Sequence, residues 1–193
     1  VAHEKNIDFL LRMLVSLRSR VPEVLLVIAG EGPAEAHCRR QVEDLGLGSS
    51  VHFVGYMDRD GELLDCYRAA DVFVFASRTE TQGLVLLEAM AQGTPPVSTA
   101  VMGTADVLRD ARGAVVVPED AGAFATAVAA LLGDPARRAA LSALAREDAA
   151  RWSARAMARR LLALYEDVAM ECGDLRRNAR PGARGLARGG HVA

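Results

Sequence analysis

Two carboxylates, Glu80 and Glu88, stand eight positions apart in the run Glu-Thr-Gln-Gly-Leu-Val-Leu-Leu-Glu-Ala-Met-Ala-Gln at 80–92. Glu88 is the only charge in the stretch 83–91, which is otherwise apolar. A helix apolar on all sides is a buried helix. A lone carboxylate inside one is costly unless something pairs with it. With the helix starting near Gly83, one acid lies ahead of its N-terminus and the other within it. The first-turn amides and the positive end of the helix dipole make a ready anion site between them. A ligand with a diphosphate at its centre and hydroxyls at both ends suits this arrangement, and a nucleotide sugar is such a ligand. The duller reading makes Glu88 a satisfied structural acid; the agreement of Glu80 with the helix start argues against it.

These residues need a scaffold, and the apolar periods predict one. Apolar positions at 7, 10, 11, 14 and 17 predict a helix over 6–19. Val24–Ala29 is a short β-branched run ending at Gly30, which suits a buried parallel strand. Pro33 opens a polar helix that Gly46 ends. Val51–Val54 reads as a strand stopped by Gly55, and Asp60 is placed to cap a helix over 61–70. A buried strand at Val72–Phe75 precedes the 83–92 helix. Strands follow near Val97–Thr99 and Ala114–Val117, and helices near 120–132, 135–150 and 153–170 complete the chain. Strands alternating with helices predict an α/β, doubly wound, Rossmann-like parallel sheet. No strand precedes the first helix, and in such a sheet the first strand is central. The expectation is a chain cut just after that strand, with Val1 and Ala2 as its stub.

The chain of 193 residues is 51% hydrophobic and 25% charged, enough to bury a core. No stretch approaches the roughly 18–20 apolar residues of a membrane span, and no signal peptide is visible. Cys38, Cys66 and Cys172 have no metal or redox spacing and read as free, packed thiols in a reducing cytoplasm. Arg176, Arg177, Arg180, Arg184 and Arg188 crowd the last nineteen residues without an acid among them. We therefore expect a folded domain over 1–170 and a basic, disordered tail over 171–193. Contact with the inner face of a membrane stays open for that tail. Its lack of amphipathic period and aromatic anchors favours a solvated end, and no nucleic-acid partner is expected.

Six segments carry a resemblance. They are His-Glu-Lys-Asn at 3–6, Ile-Ala-Gly-Glu-Gly-Pro at 28–33 and Val-His-Phe-Val-Gly-Tyr at 51–56. Ala-Asp-Val-Phe-Val-Phe-Ala-Ser at 70–77, the 80–91 segment and Gly-Thr-Pro at 93–95 complete the set. In order and spacing, over roughly residues 3–168, they resemble the C-terminal, donor-binding domain of the family-4 retaining glycosyltransferases. That family has the two-domain GT-B fold. The resemblance implies transfer of a hexose from a UDP- or GDP-linked sugar to an acceptor alcohol, a lipid or a saccharide, with retention and without a metal cofactor. It also implies that an acceptor-binding N-terminal domain is missing here, so that this chain alone is inactive.

Carried over by motif, Lys5 would contact the donor diphosphate, and an ammonium suits that task as a point charge. The family arginine that usually precedes the first helix has no counterpart. Glu80 would face the donor sugar as the catalytic acid. Gly83, Leu84 and Val85 would place their amides over the diphosphate, with Gln82 beside them. Glu88 would take the ribose hydroxyls. Tyr56, Met57 and Asp58 would frame the nucleobase, and Gly30 and Gly32 would form the turn after the family's second strand. Two positions depart from the pattern. Gln82 stands where many members have Phe, and Thr-Gln-Gly is similar to a subgroup that includes bacterial diacylglycerol glucosyltransferases. Pro96 replaces an apolar strand residue, which is tolerable at a strand start.

Other readings stay in view. A non-catalytic, truncated remnant with weak or no nucleotide binding is the alternative function, and a nucleotide-sugar epimerase of the same fold is a third. Gly30-Glu-Gly-Pro imitates a dinucleotide fingerprint but has Glu35 where the third glycine belongs. Asp58-Arg-Asp60 imitates a metal-binding pair, which the capping reading of Asp60 displaces. His3, His37 and His52 show no ligand spacing.

Overall fold

The computed structural model describes residues 1–178, so the expected tail from 179 onward lies outside the described residues. The first compact unit ends at Trp152. After a 3-10 turn at His3–Lys5, it alternates α1 (Ile7–Arg18), β1 (Leu26–Ala29), α2 (Glu35–Asp44), β2 (Val51–Gly55), α3 (Glu62–Ala69) and β3 (Phe73–Phe75). It continues with α4 (Leu84–Gln92), β4 (Pro96–Ser98), α5 (Gly103–Leu108), β5 (Val115–Val116), α6 (Ala121–Leu132) and α7 (Pro135–Ala150). The second unit holds α8 (Ala154–Asn178), which runs past the helix end expected near 170.

The helices form where local chemistry directs them. The apolar period of α1 buries Phe9, Leu10, Leu11, Met13, Leu14 and Leu17. They pack with Phe124, Ala125, Val128 and Leu131 of α6 and with Ile28, Val51 and Val97 of the strands. Phe9 meets Phe124 edge to face at 5.6 Å, the favoured geometry for two ring quadrupoles. Asp120 caps α6 by accepting from the Ala123 amide at 2.7 Å. Asp134 caps α7 through the Arg137 amide at 2.9 Å, with Pro135 in the first turn. A second cluster, Phe75, Leu86, Met90, Val107, Leu108 and Ala145, seats α4 between α5 and α7.

The strands are all parallel, as expected for α/β, but they form two ladders. One pairs β1 with β2, and the other runs β3-β4-β5. One edge of β1 and one edge of β3 have no ladder partner among the described residues. Residues 1–4 bridge the two ladders at their C-terminal ends. The Val1 amino group donates to the Glu31 carbonyl, and the Val1 carbonyl accepts from Ala34 at 3.2 Å. The Glu4 carbonyl accepts from the Arg78 amide and the Ser77 hydroxyl, each at 3.1 Å. A Cβ at Gly32 would run into the backbone of Val1, so that position needs glycine. Ala2 is extended, yet neither it nor Val1 joins a ladder.

Several expectations change in three dimensions. β1 is not buried on both faces: Val27 is 40% exposed, while Ile28 points into the core. Asp60 caps nothing; α3 starts after Gly61 without a side-chain cap, and the Glu62 carboxylate instead accepts from the Asp58 amide at 3.2 Å. Pro33 lies ahead of α2, whose N-cap is Ala34. The turn at 103–108 is helical because Val107 and Leu108 bury under α4, which no sequence period marked. His3 and His37, far apart in sequence, have ring centroids 5.9 Å apart, and His37 meets Asp8 at 3.2 Å.

Candidate functional site

The candidate site is built around the start of α4. Gly83 adopts a left-handed conformation, φ 68°, and a Cβ there would lie 3.2 Å from Val107. Glycine is the residue that takes this φ without cost. The preceding loop is pinned by Gly103, whose amide donates to the Glu80 carbonyl at 2.9 Å. A Cβ on Gly103 would collide with the Thr81 carbonyl. Gly103 was not anticipated, because a lone glycine in a loop carries no sequence signal of close approach.

Glu80 lies over this turn. Its carboxylate accepts from the Gln82 and Gly83 amides at 3.4 and 3.3 Å and from Lys5 Nζ at 2.9 Å. The Lys5 hydrogen bond, with help from those amides, holds the Glu80 carboxyl below the usual carboxylate range. Glu80 is 15% exposed and Lys5 41%, so the pair opens to solvent on the lysine side. The amides of Leu84 and Val85, next along the first turn, have no partner among the described residues. They are the orphan donors of a helix N-terminus.

Glu88 follows one turn on. The expectation of a helix buried all round is corrected here: Leu86, Ala89 and Met90 are buried, but Leu84 is 50% exposed. Glu88 therefore lies on a partly open face and is not an isolated core charge. Arg59 Nη2 donates to its Oε1, and the Tyr67 hydroxyl donates to Oε2 at 3.4 Å. Burial, followed by the nearby Glu88 charge, pushes the Tyr67 hydroxyl pKa up, so it stays a donor. Neither Arg59 nor Tyr67 was singled out. Tyr67 reads as core in a helical period, and Arg59 reads as a loop charge between two aspartates.

The remaining expected residues lie around these two pairs. Tyr56 is exposed, Met57 is half-buried and Asp58 is exposed, all in the loop that carries Arg59. Gln82 is exposed beside the α4 start. Gly30, with φ 102°, and Gly32 turn the chain after β1. No hydrogen bond joins Tyr56, Met57, Gly30 or Gly32 to either acid among the described residues. A further ion pair engages Asn6, the residue after Lys5. Arg78 grips the Glu119 carboxylate, which also accepts from Asn6 Nδ2 at 3.2 Å. Arg78 and then Asn6 hold the Glu119 carboxyl below its usual range.

Residues 1–148 match the family described as glycosyl transferases group 1. The chain belongs to that family. A D-inositol 3-phosphate glycosyltransferase of Catenulispora acidiphila is 44% identical over 163 residues, covering 78% of this chain and 38% of that protein. A GDP-mannose-dependent alpha-(1-6)-phosphatidylinositol monomannoside mannosyltransferase of Mycolicibacterium smegmatis is 38% identical over 150 residues. That match covers 74% of this chain and 39% of the relative. The chain thus spans under two-fifths of the length of either relative. Among solved structures, S. aureus TarM in complex with UDP superposes with a TM-score of 0.76 at 24% identity. It covers 86% of this chain and 33% of TarM, and shows the shared fold. The architecture is the α/β one expected for a half of a GT-B protein. Among the described residues, no helix of this group 1 chain is long and apolar enough to cross a membrane.

Proposed function

We propose that this chain supplies the donor-binding half of a retaining glycosyltransferase, one that moves a hexosyl group from a UDP- or GDP-linked sugar to an acceptor alcohol. The observation that carries the reading is the pair of carboxylates flanking two open first-turn amides at the α4 start. Diphosphate oxygens fit the Leu84 and Val85 amides, where orphan N–H groups and the helix dipole favour an anion. Lys5 supplies a neighbouring positive charge, and no metal is required to neutralise the leaving group. Glu88 takes the ribose hydroxyls, and Glu80 faces the sugar. The loop holding Tyr56, Met57 and Asp58 frames the base. The chain's part in the chemistry is then to hold the donor and stabilise the departing diphosphate. The acceptor enters from the face the diphosphate leaves and is bound by a further domain. The GDP-mannose dependence in one relative's name supports a nucleotide-sugar donor. Both relatives' names point to an inositol-containing or lipid-linked acceptor. The free thiols of Cys38 and Cys66 support a reducing, cytoplasmic setting.

A second reading, a remnant that binds nucleotide weakly or not at all, is favoured by the open edges of β1 and β3. Calorimetry with a panel of UDP- and GDP-hexoses, on the full-length protein and its Glu88→Ala variant, separates the two. The donor reading expects binding by one donor class and a loss of about ten- to a hundred-fold in Glu88→Ala, because a charged hydrogen bond contributes about 1.5–3 kcal/mol. Silence across the panel supports the remnant.

A further inference from the structure

Glu88 is occupied before any ligand arrives. Arg59 donates to one of its oxygens and Tyr67 to the other, Tyr67 from the long distance of 3.4 Å. The two donors differ in kind. Tyr67 is a buried α3 side chain whose backbone carbonyl also accepts from Thr94 Oγ1 at 2.5 Å, so it is anchored. Arg59 belongs to an exposed loop, is 64% exposed itself and bonds to no other described residue through its side chain. An ion pair this exposed is weak, because water and salt screen it. The guanidinium also covers the oxygen that a vicinal diol needs in order to donate to both sides of one carboxylate.

We propose that Arg59 is a displaceable placeholder on Glu88: the cis-diol of a ribose must displace it, while Tyr67 stays as the fixed positioning donor. This rests on the reading of Glu88 as the ribose acid. Arg59 then subtracts from the affinity for any ribonucleoside. The subtraction falls as salt rises, since screening weakens the pair being broken and leaves an uncharged ligand untouched.

The test uses uncharged probes, so that no phosphate contact intervenes. Uridine and guanosine, with their 2′,3′-dideoxy counterparts, are titrated into the full-length protein and its Arg59→Ala, Arg59→Gln and Glu88→Ala variants at low and high salt. The expected result is ribonucleoside binding tightened about two- to five-fold by either Arg59 substitution, the size an exposed pair allows. The dideoxy probes should not respond. In the parent, ribonucleoside affinity should rise with salt, and in both Arg59 variants that rise should vanish. A loose structural role for Arg59 would not reverse a salt dependence. Arg59 variants that bind ribonucleosides equally or more weakly overturn the placeholder while leaving the ribose reading intact. Discrimination between ribose and dideoxyribose that survives Glu88→Ala overturns the ribose reading and the placeholder with it.

Discussion

At the scale of single residues, the two acids that sequence spacing singled out each meet a cation. Lys5 is 75 positions from Glu80, and Arg59 is 29 positions from Glu88. These partners give the acids different behaviour. Glu80 has a folded-state pKa below its unfolded value, chiefly through Lys5. Its contribution to stability is therefore present above the unfolded carboxylate pKa and is lost as pH falls through the folded one. Side-chain NMR titration should find Glu80 titrating below ordinary glutamates, and Lys5→Ala should move it upward. An unmoved titration would assign the shift to the Gln82 and Gly83 amides instead. For function, Glu80→Ala in the full-length protein should lower sugar transfer by about a hundred-fold or more, as loss of a positioned group does. On the proposed function bare UDP or GDP should still bind, since neither carries the sugar set against Glu80 in that reading. Equal weakening of bare nucleotide would move Glu80 away from the sugar.

At the scale of elements, α4 is held from behind by α7. Gly113 lies so close to α7 that a Cβ would enter the backbone at Ala145. Ala145 in turn packs in the cluster with Leu86 and Met90 of α4. Asp148 of α7 is 1% exposed and accepts from the amides of Arg112 and Gly113 at 2.6 and 2.8 Å, with Arg151 at 2.6 Å. Arg146 reaches the last turn of α4 at the Gln92 carbonyl, 2.9 Å away, a favourable place for a cation at a helix C-terminus. Removing the Asp148 carboxylate leaves the Arg112 and Gly113 amides without their acceptor and the Arg151 guanidinium with only the Asp110 carbonyl, 3.1 Å away. Asp148→Ala should therefore cost about 2–5 kcal/mol in urea unfolding. Asp148→Asn, which keeps one acceptor oxygen, should cost less. A loss under about 1 kcal/mol for the alanine variant would mean that water replaces the carboxylate.

At the scale of the molecule, the edges of β1 and β3 that lack a partner among the described residues dominate. Unpaired edges recruit other chains, and Val27 of β1 and Leu25 just ahead of it are exposed. A domain is stable by only about 5–15 kcal/mol, so two open ladders are a serious weakness. The 193-residue chain expressed alone should self-associate, unfold broadly with temperature and transfer no sugar from a donor panel. Light scattering and calorimetry report the first two. A monomer with a sharp cooperative transition and measurable transfer would refute this expectation.

What was legible in the sequence was local. The period of α1, the glycine ahead of α4 and the alternation of strands and helices all follow from interactions within a few residues, whereas the one cap expected, Asp60, was misplaced and the aspartate caps of α6 and α7 went unmarked. The six motif segments placed the chain in its family and pointed to the α4 start as the place to look for a donor site. The tertiary structure decided what depends on distant contacts. It divided the expected single sheet into two ladders, because strand pairing needs a neighbour that local pattern cannot supply. It opened one face of α4, gave Glu80 to Lys5 and Glu88 to Arg59 and Tyr67, and made Gly103 indispensable beneath the Thr81 carbonyl. An apolar run shows that a helix prefers burial; only the packed neighbours determine which side is covered and which side is left for a ligand.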